Sequence, residues 1–410
     1  MRRRTIAALF CLAVLACGSR GAAAQARHDH GSMSGVPTAK PCPDAALTCA
    51  VSATPFFAAD GTLYLAWSAG GRIAVAHSSD KGAHFSPPAF ANPTEEVVDA
   101  GPDSRPSIVV DGNGRITVAY AIFRDKAFNG EVRVTHADRG GAFARPVPIA
   151  DNPASQRFQS LLLDRDGSVF AAWLDKRKRL DLPNPKDYAG AALAWTRIPP
   201  GGEPSGAARL GSDNTCECCR LGIASAGPGR PVVLFRDIFH GSVRDHAVIA
   251  FDADDNPGPT QRVSDDDWVI TACPHHGPSL AIDGSGGWHA AWFTQGKQRS
   301  GLFYAHSDDQ GASFSAPLPV GSPGAQAGRP NLLAMGDTVY LAWKQFDGAL
   351  SAVNLMVSRD RGAHFGAPKV VATTRDASDH PLLIAHAATP YLSWLSANEG
   401  YRLIPLGAGE

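Results

Sequence analysis

Short apolar segments alternate with turn residues along most of the chain, and the whole pattern recurs about every fifty residues. Each copy reads as an apolar strand, a turn usually carrying Gly, and a second strand rich in β-branched and aromatic residues, which is the pattern of a β-hairpin. The copies begin at Thr54 (TPFFAADGTLYLAWS), Arg105 (RPSIVVDGNGRITVAYA), Phe158 (FQSLLLDRDGSVFAAWL), Arg220 (RLGIASAGPGRPVVLFR), Gly277 (GPSLAIDGSGGWHAAWF), Arg329 (RPNLLAMGDTVYLAWKQ) and His380 (HPLLIAHAATPYLSWLS). We count seven copies.

A third strand follows the hairpin in most copies, as in GRIAVAHS and GLFYAHS, and a fourth strand closes the unit. Four-stranded antiparallel units at this period are the blades of a β-propeller. The sequence therefore predicts an all-β fold with seven blades, and six blades as the alternative. The last copy supplies three strands, so we expect the segment AALTCAVSA around Cys49 to add the fourth.

A tight turn between the third and fourth strands has the pattern S-x-D-x-G-x-x-F. It occurs as SSDKGAHF, SDDQGASF and SRDRGAHF, and with His in the first place as HADRGGAF; the aspartates are Asp80, Asp138, Asp309 and Asp360. This pattern resembles the Asp box, or BNR repeat, of the sialidase superfamily of β-propellers. The resemblance covers nearly all of the chain after residue 50. It implies a structural role for these aspartates, which can accept backbone N–H bonds while the glycine takes a positive φ.

The resemblance makes sialidase activity the first enzymatic hypothesis, but its residues are incomplete. Sialidases carry an R-I-P motif before the first Asp box, and none precedes Asp80; the motif at Arg197 lies late in blade three. A sialidase also needs a Tyr activated by a Glu, for which Tyr188, Tyr401 and Glu399 are the candidates.

One repeat position carries a cation in several copies, namely Arg105, Arg220, Arg329 and His380. If these side chains turn inward, they form an anion site for a carboxylate, phosphate or sulfate. The alternative is that each arginine pairs with a neighbouring acid.

The N-terminus indicates an exported protein. Residues 1–26 combine three arginines, an apolar run too short to span a bilayer, and an A-x-A site, as in a signal peptide. The sequence VLACGS also resembles a lipoprotein box, so anchoring at Cys17 is the alternative to release into a periplasm. Residues 27–50 read as a flexible segment with a possible Cys42–Cys49 disulfide, and 51–410 as the propeller.

Charge argues against nucleic acid as a partner. Lysine plus arginine number 38 against 39 acidic residues, a formal net charge of -1, so no overall basic field would hold a polyanion. The sequence leaves a metal ion, an anionic small molecule or a glycan as the partner to consider.

Four cysteines and two histidines fall at equivalent places in two neighbouring copies. Cys216, Cys218 and Cys219 directly precede the fourth copy, and Cys273, His275 and His276 directly precede the fifth. In a propeller these loops lie side by side, and thiolates with imidazoles suit a soft or borderline metal, copper first and zinc second. Alternatively, Cys216 and Cys273 form a disulfide, with Cys218 and Cys219 as a vicinal pair or free thiols, or the thiols are redox-active.

Further donors lie near this predicted site or on the N-terminal segment. Asp237 and His240 follow in the same copy as candidate supports for the histidines, and His28, His30 and Met33 add copper-type ligands on the N-terminal segment. The leading hypothesis is an exported metal-binding propeller in metal handling or redox chemistry. The alternative is a sialidase-like glycoside hydrolase or glycan-binding propeller that uses the central arginines. If the protein is an enzyme, we expect an exo-sialidase-like glycoside hydrolase or a metal-dependent redox enzyme.

Overall fold

The computed structural model describes residues 42–184, 190–212, 214–322 and 324–407. The strands of these residues form seven antiparallel sheets in chain order. The first strand of each sheet neighbours the first strand of the next, and the seventh sheet returns to the first, which closes the ring. The seven-bladed β-propeller predicted from the repeat is confirmed, and the alternative of six blades is wrong.

The blades follow the repeat. Blade 1 contains β1 (Ala53–Phe57), β2 (Leu63–Ala69), β3 (Arg72–Ser78) and β4 (Ala89–Phe90), and blade 2 contains β5 (Ser107–Val110), β6 (Ile116–Phe123), β7 (Gly130–Ala137) and β8 (Val147–Pro148). Blade 3 contains β9 (Gln156–Leu163), β10 (Val169–Asp175), β11 (Ala192–Ile198) and β12 (Arg209–Leu210), and blade 4 contains β13 (Gly222–Ser225), β14 (Pro231–Arg236), β15 (His246–Ala250) and β16 (Gln261–Arg262).

The remaining blades are similar in length. Blade 5 contains β17 (Ser279–Ile282), β18 (Trp288–Gln295), β19 (Ser300–Ser307) and β20 (Leu318–Val320), and blade 6 contains β21 (Gly328–Met335), β22 (Thr338–Phe346), β23 (Ser351–Ser358) and β24 (Lys369–Thr374). Blade 7 contains β25 (Leu382–His386), β26 (Thr389–Ser396) and β27 (Gly400–Pro405).

Blade 7 has three strands in the described part of the chain, so the expected fourth strand around Cys49 is wrong. A disulfide joins Cys42 to Cys49, with their Cα atoms 6.2 Å apart. Seven extended residues would span about 23 Å, so this loop cannot run as a strand. It forms two short 3-10 turns, and Trp67 Nε1 donates to Ala45 O at 2.8 Å. The disulfide loop thereby packs between blades 1 and 7, in the apolar cluster that contains Leu395.

Aromatic side chains in the second strands fill the space between blades. Five tryptophans at one repeat position are almost fully buried: Trp67, Trp173, Trp292, Trp343 and Trp394. Tyr120 and Phe235 take the same position in blades 2 and 4 and are equally buried. Because both faces of a blade pack against its neighbours, the second strands read as continuous apolar runs, and burial of each large ring contributes on the order of 2 to 3 kcal/mol.

Three of the four Asp boxes form the turn that their pattern predicts. In the box of Asp309, the carboxylate accepts from Ser313 N at 2.9 Å and from Ser307 Oγ at 2.8 Å, and Gly311 takes a φ of 83°. The boxes of Asp80 and Asp360 repeat this arrangement.

The box of Asp138 differs, and the prediction that this carboxylate accepts backbone N–H bonds is wrong. Asp138 Oδ1 accepts from Arg115 Nη1 at 3.0 Å, while Gly141 N donates to the Asp138 carbonyl. His136 replaces the serine of the pattern here, so the hydroxyl that orients the carboxylate in the other boxes is missing.

The predicted leader of residues 1–26, with Cys17, and the candidate ligands His28, His30 and Met33 lie outside the described residues. Among the residues that are described, no helix has the length and apolar character needed to cross a membrane.

We expect Asp309→Ala to lower the melting temperature more than Asp138→Ala does. The first change removes a carboxylate that holds a turn N–H and two hydroxyls, whereas the second removes an exposed ion pair, which contributes little. Thermal unfolding followed by circular dichroism measures both variants against the parent. Equal losses in the two variants would contradict the assignment of Asp309 as a turn staple.

Candidate metal centre

The loop that precedes blade 4 is attached to the end of that blade's second strand. Thr215 bridges to Ala191 and to Asp237, and Cys216 N donates to Arg236 O at 2.8 Å. Chain entering a first strand and chain leaving a second strand therefore lie at the same end of the blade. The Asp-box turns lie at the opposite end, so they cannot contribute to this site.

The loops before blades 4 and 5 meet at Gly277. A Cβ atom at this position would lie 2.2 Å from Arg220 Cγ and 2.7 Å from the Arg220 carbonyl oxygen. Only a glycine allows the backbone of one loop to pass this close to the other. This approach brings the two cysteine-containing segments together, as their equivalent places in the repeat predicted.

Three thiols form an inner donor group that is closed to solvent. Cys216, Cys218 and Cys219 are at most 2% exposed, and Ile238 packs against them. Cys216 Sγ lies 3.5 Å from Cys218 Sγ and 3.9 Å from Cys219 Sγ. Sulfur atoms bound tetrahedrally to one metal at 2.3 Å are about 3.8 Å apart. The observed sulfur distances are therefore compatible with one metal ion shared by the three thiols.

A second donor group shares one of these thiols. The donor atoms of Cys218, Cys273 and His275 all lie within 4.8 Å of one another. Cys273 and His275 are only partly buried, so this outer group reaches the surface of the loops. His275 has a φ of 50°, a left-handed backbone that is uncommon outside glycine and that is found at functional positions. The two groups together could hold a metal ion.

Charges around the inner group favour a thiolate at Cys216. Hydrogen bonds from the Cys218 and Cys219 thiols lower the pKa of Cys216 to about 3, and the charges of Arg236 and Arg244 act in the same direction against burial. Arg244 Nη1 donates to Cys216 Sγ at 3.2 Å. The pKa values of Cys218 and Cys219 are raised, first by their hydrogen bonds to Cys216 and further by burial.

Sequence reasoning missed the two arginines. It treated the loop between β14 and β15 as a source of carboxylate and imidazole donors, whereas Arg236 and Arg244 supply the positive charge beside the sulfurs. Arg236 is 1% exposed and donates to Arg244 O at 2.9 Å and His276 O at 3.0 Å. The available signal was the pair of arginines in RDIFHGSVRD, directly after the apolar strand of the same copy.

The disulfide alternative for these cysteines is not what the structure contains. Within the described part of the chain, no disulfide bond joins Cys216, Cys218, Cys219 or Cys273 to another cysteine. The Cys216–Cys273 pairing considered from the sequence is therefore wrong, as is a vicinal bond between Cys218 and Cys219. Cys273 instead lies beside Cys218, whose hydrogen bond is the main cause that lowers the Cys273 pKa.

His276 does not take its expected place among the ligands. Its ring stacks on Phe293 at a centroid distance of 4.0 Å, and burial lowers its pKa to about 2. Nδ1 is buried without a hydrogen-bond partner in the described part of the chain. His276 belongs to neither donor group.

The supporting roles expected for Asp237 and His240 are also absent from the described contacts. Asp237 Oδ1 accepts from Ser212 Oγ at 2.8 Å, and burial raises the pKa of this carboxyl. His240 is exposed on a short 3-10 turn. Within the described residues, no hydrogen bond joins either side chain to His275 or His276.

The repeat-position cations do converge at the central channel, but they are not equivalent. Arg105 forms a two-bond pair with Asp379, at 2.6 and 3.1 Å, and is thereby neutralised. Arg220 and Arg329 each lie 3.4 Å from the carboxylate of Asp103, which they share. His380 Nδ1 accepts from Arg220 Nη1 at 3.3 Å, and burial keeps the pKa of this imidazole well below its usual range.

The residues that would carry sialidase chemistry are not assembled. Arg197 of the R-I-P sequence pairs with Asp255 and Asp164, as a structural arginine would. The Tyr401 hydroxyl accepts from Ser393 at 3.1 Å, and Glu399 accepts from Ser396 at 2.6 Å, so these two candidates do not pair with each other. Tyr188 lies outside the described residues.

Comparisons with known proteins support the fold. No family profile matches the sequence, and no curated protein matches it. A polysaccharide lyase, an ulvan lyase bound to a GlcA–Rha3S saccharide, is similar at a TM-score of 0.53 and 10% identity over 84% of this chain and 90% of its own.

Sialidases are also among the similar structures, at lower scores. A Hadza microbial sialidase has a TM-score of 0.45 and 15% identity over 72% of this chain and 63% of its own. The NanB sialidase of Streptococcus pneumoniae has a TM-score of 0.46 and 11% identity over 80% and 68%. The likeness to the polysaccharide lyase, at 10% identity, concerns the propeller fold alone.

We expect Gly277→Ala to destabilise the protein by about 1 to 3 kcal/mol, because the new methyl group would overlap the backbone of Arg220. Urea unfolding measures the free energy of unfolding. Gly112→Ala is the matched control, since a Cβ there meets no atom within 4 Å. If the two variants are equally stable, the loops before blades 4 and 5 do not approach each other as described.

Proposed function

We propose that this propeller is an exported protein that binds a soft transition metal, with copper favoured, through the loops before blades 4 and 5. Five donors support the proposal: the thiols of Cys216, Cys218, Cys219 and Cys273 and the imidazole of His275. The role that follows is metal handling or redox chemistry at the mouth of the channel. This role does not involve the residues of sialidase catalysis.

The donor types argue for a soft metal. Thiolates select Cu(I) and Zn²⁺ over the hard cations Mg²⁺ and Ca²⁺, which take oxygen ligands. Each group offers three donors, whereas a structural zinc site almost always takes four in a tetrahedron. A three-coordinate, thiolate-rich site favours copper in its reduced state.

Export adds a second reason. Disulfides form readily in oxidising compartments, so four unbonded thiols in close contact would be exposed to pairing there. A bound metal would hold these sulfurs as thiolates and would remove the free thiol groups. The buried position of the inner group gives it additional protection.

We expect protein purified without chelators from its export compartment to contain copper, and Cys218→Ser to lose it. Cys218 is the donor common to both groups, so its removal leaves two ligands in each. Elemental analysis by mass spectrometry, with a thiol count on the same sample, measures the loss.

Glu217→Gln is the matched control for this variant. Glu217 lies in the same loop but its carboxylate pairs with Lys176 at 2.5 Å, so its replacement leaves the thiols intact. If elemental analysis finds zinc and no copper, the proposed metal is wrong and the proposed binding site stands. Parent protein without metal, and without free thiols, would overturn the proposed function.

A second candidate function, binding of an anion or an anionic glycan, is favoured by the charges at the channel. Arg220 and Arg329 share the single carboxylate of Asp103, and Lys344 adds a further cation beside Asp379. Burying cations with too few counter-charges is costly unless an anion joins them. This group therefore suits a carboxylate or sulfate, which guanidinium groups bind through paired hydrogen bonds.

We expect Arg329→Ala to weaken binding of glucuronate or inorganic sulfate by about tenfold or more, because it removes a partly desolvated guanidinium. Isothermal titration calorimetry measures the dissociation constant. Arg230→Ala, a change at an exposed arginine in the β13–β14 turn, is the control. Failure of the parent protein to bind either anion would overturn this candidate and leave the metal proposal unaffected.

A further inference from the structure

Cys218 belongs to both donor groups, and this overlap limits how metal can be arranged. The inner group combines it with Cys216 and Cys219, and the outer group combines it with Cys273 and His275. Within each group all donor atoms lie within 4.8 Å of one another, but the five donors do not form a single group at that distance. One ion at the inner sulfurs would therefore leave Cys273 and His275 unused.

We propose that Cys218 bridges two Cu(I) ions, one held with Cys216 and Cys219 and the other with Cys273 and His275. This inference rests on the proposed function and adds its stoichiometry and geometry. A thiolate sulfur has more than one lone pair, so it can bind two soft ions at once. Each ion then has three protein donors.

The charges beside the sulfurs match two monovalent ions. Four thiolates carry four negative charges, and two Cu(I) ions bring the net charge of the cluster to two negative charges. Arg244, which donates to Cys216 Sγ at 3.2 Å, and Arg236 supply two positive charges. The carboxylate of Glu217, which acts on Cys273, is paired with Lys176. The centre is then neutral, as a buried cluster of charges requires.

A single Cu(I) at the inner group would be balanced by three thiolates and the two arginines, with Cys273 still protonated, but it would leave Cys273 and His275 unused. Two Zn²⁺ ions would instead leave two positive charges. One Zn²⁺ balances the charge, but it would require four donors in a tetrahedron drawn from both groups. Charge therefore argues against two Zn²⁺ ions, and the arrangement of all five donors in two groups of three favours two Cu(I) ions.

Burial gives the two positions different access. The inner sulfurs are closed to solvent, whereas Cys273 and His275 are partly exposed. The outer ion is therefore the one that can exchange with solution, and the inner ion is reached through it. Coordination releases the proton of each thiol and leaves the oxidation states of sulfur and copper unchanged.

Anaerobic titration of the metal-free protein with Cu(I) tests the proposal, with a chromophoric Cu(I) chelator as competitor. We expect two ions to bind per chain and X-ray absorption to show a Cu···Cu scattering shell. Cys219→Ser and Cys273→Ser should each reduce the stoichiometry to one. Cys218→Ser should weaken the binding of both ions, since it removes the bridging sulfur. Glu217→Gln should still bind two ions per chain. Circular dichroism of each variant checks that the propeller is folded.

The outcomes separate this inference from the proposed function. One ion per chain in the parent, or a Cys218→Ser variant that keeps one ion at parental affinity, would overturn the bridge while the metal site stands. One Zn²⁺ bound in preference to Cu(I) would do the same. No binding of either metal by the folded parent would overturn the proposed function and the bridge together.

Discussion

The close passage of Gly277 across Arg220 is the contact on which the candidate site depends. It brings the loops that enter blades 4 and 5 nearer than any residue with a Cβ would allow. The loop before blade 4 supplies the sulfurs of Cys216, Cys218 and Cys219, and the loop before blade 5 supplies Cys273 and His275. A propeller supplies this kind of site readily, because its repeat places equivalent loops of adjacent blades side by side.

The metal centre and the cationic channel are continuous rather than separate features. Arg220 follows Cys219 directly in the chain, and its guanidinium reaches Asp103 and His380 in the channel. Arg236 and Arg244 supply positive charge beside Cys216. Positive charge near the thiols stabilises thiolates, and positive charge in the channel attracts anions.

The rest of the fold is a rigid support for this end of the molecule. Tryptophans between the blades and the Asp-box turns at the opposite end hold the sheets in place, and they contribute no donor to the site. The propeller fold is similar to that of a polysaccharide lyase, whereas the described sialidase candidates Tyr401 and Glu399 do not pair with each other. Fold and chemistry are thus independent, as is common for this architecture.

The sequence alone predicted seven blades over six, three of the four Asp-box turns and the adjacency of the two cysteine loops, because all three follow from a repeat and from turn residues at fixed offsets. Only the tertiary structure decided which donors meet. The left-handed backbone at His275 directs that ring to the sulfurs while the next residue, His276, stacks on Phe293. Asp138 pairs with Arg115 and does not form the turn of the other boxes, and the disulfide loop at Cys49 does not form a strand. Each of these outcomes depends on one backbone rotation or one distant partner, and a repeat pattern carries no information about either.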